Sequence, residues 1–187
     1  MKATDILMSE HRVIERVIAT LETAANRLQA GQAVRPGFFM DATDFIKGFA
    51  DGCHHRKEEG VLFKALQANG MPAGQGPIAV MLGEHEQGRK FTRAMRSAAE
   101  QLQAGDPSAR ASLEASLVSN ALGYAALLRQ HIQKEDQVLF PMAGRIIPVD
   151  KQEQVVEDFE KVEHEETGAG VHEKYLALAE ALEKEMK

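Results

Sequence analysis

The sequence predicts an all-α fold, an up-down-up-down four-helix bundle with an additional C-terminal helix. Three observations carry this expectation. Ala, Leu, Glu, Gln and Lys are abundant while β-branched runs are scarce, which is a helical composition. Apolar residues recur at spacings of three and four, as on one face of a helix. Glycines and prolines punctuate these stretches into segments joined by short links, and short links make antiparallel neighbours.

Taken in order, Thr4 is placed to cap a first helix that runs to about Gln29 and stops at Gly31. Its stripe is Leu7, His11, Ile14, Ile18, Leu21, Ala25 and Leu28. Pro36 opens a second helix, which carries Phe45, Phe49, His54, Glu58 and Leu62 and ends near Asn69-Gly70. MPAGQGP is a loop. The third helix runs from about Pro77 to Ala104 and is broken by Gly105-Asp106. A fourth starts near Pro107 and passes Leu113, Leu117, Tyr124, Leu128, His131 and Glu135. It is expected to end or kink near Pro141, because proline lacks the N–H and clashes with the preceding turn. Asp150 with Glu153 reads as a capping box for a fifth helix over 151–186. The bundle thus occupies 1–146, and 147–187 is a helical extension packed on the same domain.

The chain has 187 residues, enough for one domain with a real core. With 22 basic and 28 acidic side chains its net charge is −6, which argues against nucleic acid and anionic membranes as partners. No apolar run approaches the roughly 18 residues that cross a bilayer. The segment MKATDILMSEH has charges where a signal peptide has its apolar stretch. The one cysteine, Cys53, has no internal partner, so a reducing cytoplasm is the expected location.

The chemistry is announced by a repeat. HHRKEEGVLF at 54–63 returns as HIQKEDQVLF at 131–140, with six positions identical. The first helix carries Glu-His at His11 and the third carries Glu-His at His85, so the order is Glu-His, HxxxE, Glu-His, HxxxE. The separations match as well, 43 residues from His11 to His54 and 46 from His85 to His131. Two copies of a helix pair, related by a pseudo-twofold, set two equivalent half-sites face to face. Residues i and i+4 share a helix face, so His54/Glu58 and His131/Glu135 can each grip an ion. Four imidazoles and two carboxylates inside a bundle call for metal, because an isolated buried carboxylate is expensive. If each Glu bridges two ions, each ion has two nitrogens and two oxygens, with positions left for a small ligand. Mixed imidazole and carboxylate suits iron or manganese, and the affinity order alone would favour zinc.

Other residues are weighed against this set. A lone HxxxE is common on helices, and Glu15, four after His11, reads as a surface residue. His55/Glu59 is a rival couple, but His55 aligns with Ile132, so the repeat selects His54/Glu58. Tyr124, seven before His131, lies on the same face and is more simply a core aromatic. Cys53 points about 100° away from His54 around an α-helix and reads as a small buried residue. Arg89 is expected to pair with a carboxylate at the rim. His164 and His172 flank Gly-Ala-Gly; a fifth nitrogen donor is one reading, a surface or packing role the other. The phenylalanines at 38, 39, 45, 49 and 63 are core.

The pattern H…HxxxE…H…HxxxE, with FADGCHHRKEEGVLF, GPIAVMLGEHEQGR and LLRQHIQKEDQVLFPMA around it, resembles the hemerythrin-like, or HHE cation-binding, family over roughly residues 4–143. The resemblance implies a four-helix bundle around a non-haem di-iron centre, with His11, His54, Glu58, His85, His131 and Glu135 as ligands. The C-terminal segment resembles the extra helix of some members. The oxygen carriers of the family have HxxxH on the third helix and HxxxxD on the fourth. Here Arg89 stands where the second His would be, and HxxxE occurs twice. The pattern is similar to members that handle peroxide, nitric oxide or iron. The expected cofactor is two iron ions, with manganese or zinc as alternatives. The expected partners are a small diatomic or peroxide ligand and a second copy of the chain. Three functions compete: binding or reducing a small oxidant, a non-enzymatic sensor or iron store, and a structural zinc site.

Overall fold

The computed structural model describes residues 2–105, 107–168 and 170–187, with the backbone alone of Glu165, Glu166 and Thr167. Met1, Asp106 and Ala169 lie outside the described residues, among them the Asp106 expected to help end the third helix. Among the described residues there are six helices, α1 to α6, and no strand. Helix α1 is Ala3–Gln29, α2 spans 36–68, α3 is Pro77–Ala104 and α4 spans 110–146. Helices α5, over 149–167, and α6, Val171–Glu185, form the C-terminal extension.

In the bundle α1 packs on α4, α4 on α3 and α3 on α2. The remaining side, between α1 and α2, is sealed by α6, which contacts both. The expected single fifth helix is therefore two. Gly168 at φ +98° and Gly170 at φ +78° take left-handed conformations that suit glycine, and the chain turns there. The fold-back lets Ala179 and Leu182 join the core on α1 and α2, while Val155 and Phe159 of α5 pack further along.

Two expected caps are not used. Helix α1 starts at Ala3, where the Lys2 N–H donates to Asp5 Oδ2 at 2.9 Å, so Thr4 already lies inside the helix. Helix α5 starts at Val149 behind Pro148, without a cap from Asp150. Pro141 does not end α4. It follows a π-helical turn, Glu135–Leu139, whose wider ring accommodates a residue without an N–H, and the helix continues to Ile146.

The apolar core is in two parts. One contains Ile14, Ile18, Leu21, Phe38, Phe39, Phe45, Phe49, Met95, Tyr124 and Leu128. The other contains Leu7, Leu62, Phe63, Met81, Leu139 and Phe140. On every bundle helix a histidine falls between them: His11 between Leu7 and Ile14, His54 between Ala50 and Leu62, His85 between Met81 and Met95, His131 between Leu128 and Leu139. The polar centre is thus a layer with apolar packing at both ends. Each fully buried Phe or Leu contributes about 1.5–3 kcal/mol, which offsets the cost of burying charge between them.

Candidate metal centre

Two donor sets converge in this layer. One is His11, His54, Glu58 and Glu135, the other His55, Glu58, His85 and His131; all these residues are buried, and in each set the donor atoms lie within 4.8 Å of one another. All six residues expected from the repeat are brought together. Glu58 belongs to both sets: its Oε1 is 3.4 Å from His54 Nε2 and its Oε2 is 3.4 Å from His85 Nε2. Glu135 Oε2 is 3.2 Å from Nε2 of both His11 and His131.

The seventh residue, His55, was set aside by the repeat. Its ring stacks on His85 at 3.9 Å, and it is 3% exposed. The cause is the backbone. Residues Ile46–His55 are π-helical, so each residue turns the chain less than in an α-helix. Neighbours His54 and His55 then both reach the inner face. The equivalent stretch of α4 is regular α-helix, and Ile132, the counterpart of His55, packs in the apolar core. The fifth nitrogen comes neither from the third helix nor from the extension: His164 is exposed and His172 lies by Glu163.

Every centre histidine turns Nδ1 to a carboxylate. The pairs are His11–Asp136 at 2.7 Å, His54–Glu10 at 2.9 Å, His55–Asp51 at 2.9 Å, His85–Glu59 at 2.7 Å and His131–Glu84 at 3.0 Å. A carboxylate accepts, so Nδ1–H donates, and in the neutral ring the Nε2 lone pair faces inward. Cations brace these carboxylates in turn. Lys57 bonds Glu10, Lys134 bonds Glu84, Arg12 bonds Asp136, and Arg89 Nη2 donates to Glu59 at 2.7 Å.

The repeated ten residues now have a physical reading. His54 and His131 face the centre, as do Glu58 and Glu135. Lys57 and Lys134 hold the carboxylates behind His54 and His131. Glu59 and Asp136 cross to the neighbouring helix to hold His85 and His11. Phe63 stacks on His85 at 6.0 Å and Phe140 on His11 at 5.4 Å. Leu62 and Leu139 pack below. The doublet at 58–59 is thus not a choice of one glutamate over the other; each has a separate place.

The electrostatics follow from burial. Desolvation pushes the Glu58 carboxyl well up, and the nearby Glu135 adds to this. Burial likewise lowers His54 to about 4 and pushes His55 well down, with His85 crowding the latter. Burial also disfavours charge on His11 and His131, but Asp136 and Glu135 outweigh it at His11, and Glu135 and Glu84 at His131, raising both to about 9. Nε2 of His11, His54 and His55 and both oxygens of Glu58 and Glu135 are buried without hydrogen-bond partners. Groups of this kind stay unpaired only at a cost of about 1–3 kcal/mol each. A divalent cation would take up these inward lone pairs, so the residues fit metal.

Tyr124 is buried with a partnerless hydroxyl. Burial pushes its phenol well up. Cys53 is buried, its thiol raised to about 11 by desolvation, so it behaves as packing.

The fold and the layer define an all-helical protein of cation-binding type, with candidate donor residues on all four bundle helices. Residues 2–143 match the hemerythrin HHE cation-binding domain, and the chain belongs to that family. Uncharacterized proteins of Mycobacterium bovis and Mycobacterium tuberculosis are 26% identical to it over 166 residues, which are 89% of this chain and 63% of theirs. The chain thus spans less than two thirds of the length of these curated relatives. No solved structure matches it at a comparable level. Among the described residues no helix is long and apolar enough to cross a membrane.

Proposed function

We propose that the chain holds two iron ions between its donor sets and uses them to bind or reduce a small oxidant, O2, H2O2 or NO. The observation that carries this is Glu58, buried and shared between the sets with both oxygens otherwise unpartnered. His11, His54 and Glu135 would complete one ion, and His55, His85 and His131 the other. Two iron ions there would supply one-electron chemistry and room for a small ligand. The protein's own part is to orient five imidazoles through their Nδ1 carboxylates and to exclude water with Phe63, Phe140 and the two apolar layers. The missing second His on the third helix argued against an oxygen carrier, but His55 offers a nitrogen from the second helix instead. Reversible binding and reduction therefore have to be separated by experiment. A reducing cytoplasm suits the free, buried Cys53.

The test is elemental analysis, then the absorption spectrum of the anaerobic reduced protein before and after each oxidant. A change that persists after the gas is removed supports reduction, and one that reverses on degassing supports carriage. A centre that responds to none of the three points to the second reading, a sensor or iron store. A specific observation favours that reading as well: a chain of paired charges, the buried Glu10 and Lys57 and the half-buried Glu163, joins the centre to the C-terminal extension.

A further inference from the structure

The charge relay on one side of the centre is longer than on the other. Behind His54 stands Glu10, whose Oε2 accepts from Nδ1 at 2.9 Å. Behind Glu10 stands Lys57, whose ammonium bonds Oε1. Lys57 also donates to Glu163 of α5 at 3.1 Å, and its side chain is 0% exposed. Glu163 lies beyond the family match, which ends at 143. His172 of α6 stands 3.4 Å from Glu163 and packs its ring on Phe49. The pseudo-twofold counterpart, His131–Glu84–Lys134, ends in solvent, where the Lys134 side chain is 40% exposed.

Glu10, Cys53, Glu163 and His172 form a third group with metal-like donor spacing. Lys57 ion-pairs with two of its members, so this group already holds a cation, and that cation is an ammonium. A buried ammonium needs compensating charge. With Glu163 in place, Lys57 is shared between two carboxylates and draws less on Glu10. Glu10 then accepts more strongly from His54, and a stronger acceptor at Nδ1 makes Nε2 a better donor. At His131 the corresponding lysine is screened by water, and no third carboxylate is needed.

We infer that Glu163 is a positioning residue of the metal centre. Through Lys57 and Glu10 it sets the donor strength of His54, so the C-terminal hairpin tunes the ion held by His11 and His54 and leaves the other ion alone. Coupling of this kind is reciprocal: loading that ion tightens the hairpin on the α1–α2 side. The inference rests on the centre binding metal.

The experiment is stepwise titration of the full-length metal-free protein with Fe(II) under anaerobic conditions, followed by Mössbauer spectra of the loaded form. The proteins compared are wild type, Glu163→Gln, Glu163→Asp and the exposed same-helix control Glu160→Gln. Glu163→Gln is expected to weaken one binding step about tenfold, the lower end of the effect of outer partners on metal affinity. It should also shift one of two quadrupole doublets and leave the other in place. Glu163→Asp keeps the charge and should recover most of the affinity, and Glu160→Gln should match wild type. In wild type, loading should slow amide exchange in α5 and α6, and Glu163→Gln should lose that slowing. Equal weakening of both steps with a lowered melting temperature would reduce Glu163 to a structural residue and overturn the inference. So would steps and doublets identical to wild type. Wild type that takes up no iron would remove the reading of the centre itself, a different failure from normal uptake that ignores Glu163.

Discussion

Glu58 offers one carboxylate oxygen to His54 and the other to His85, each at 3.4 Å, and so stands between the two donor sets. It is fully buried, and both its oxygens lack hydrogen-bond partners. Glu58→Gln keeps the volume but removes the charge that both sets share. Wild type is expected to bind about two ions per chain, and Glu58→Gln to retain neither tightly. Elemental analysis after gel filtration reads this directly. A variant that keeps both ions would show that Glu58 does not join the sets.

His55→Ala is expected to weaken one ion while leaving the His11/His54 set its donors. The repeat alone selects His54/Glu58 over His55/Glu59, whereas the geometry leads us to expect that both His55 and Glu59 matter. Glu59 holds His85 at 2.7 Å, so Glu59→Ala should lower affinity about 10–100-fold, as loss of an outer partner does. Metal competition with a chromophoric chelator measures both. Affinities equal to wild type would restore the original choice of couples.

The placement of His55 beside His85 shows where the sequence was legible. Helix spacing and breakers were enough for the bundle, and α3 runs from Pro77 to Ala104 as expected. The repeat was enough to expect six candidate donors in one layer, because two copies in matching order force two matching faces, and the six side chains do lie together there. His55 was not legible, since its inward turn depends on the π-helical stretch Ile46–His55, and phase arguments assume α geometry throughout. Asp51, four residues before His55, was the available signal: it holds the His55 ring, and its counterpart in the repeat is Leu128. The split of the last helix was signalled by Gly168 and Gly170, whose left-handed backbone closes the turn. The reach of Glu163 into the centre left no mark in spacing, because it depends on how the extension folds back.

Removing metal should lower the melting temperature, because an ion bound only by the folded chain stabilises it by mass action. At a free concentration one hundred times the dissociation constant this is about 2.7 kcal/mol per ion. Differential scanning calorimetry of loaded and chelated protein tests it. Equal melting would place the ions outside the core.

The metal-free protein should also lose stability as the solution is made alkaline. Burial opposes charge on His11 and His131, but Asp136, Glu135 and Glu84 raise both to about 9, against about 6.5 in an unfolded chain. Between these values the folded state binds protons that the unfolded state has released, so stability present below pH 6.5 drains away as the pH rises through 9. The raised Glu58 acts in the same direction. In the loaded protein the ions take the place of those protons, and this loss should be much smaller. Urea melts of both forms from pH 6.5 to 9.5 measure the two slopes. Metal-free stability that stays level or rises over that range would contradict the pairing of His11 and His131 with their carboxylates.

At Gly48 the extension packs directly against the second helix. A Cβ there would lie 1.9 Å from the Tyr175 hydroxyl oxygen, far inside contact distance. Tyr175 meets Phe45 edge-on at 6.3 Å, and Phe49 lies next to His172, so the α6 hairpin is keyed to this face of α2. In the helix interior Gly→Ala would ordinarily gain about 0.5–1 kcal/mol from propensity. Overpacking costs about 1–3 kcal/mol, so the clash wins unless Tyr175 moves out. Gly48→Ala is therefore expected to destabilise the protein, and Gly48→Ala with Tyr175→Leu to recover most of the loss. The pair is read as a double-mutant cycle in chemical denaturation. Because α6 also brings His172 beside Glu163, the single variant should weaken metal binding too, and the double variant should restore it. A stabilised Gly48→Ala, or a cycle with no coupling, would mean that Tyr175 does not seat the extension.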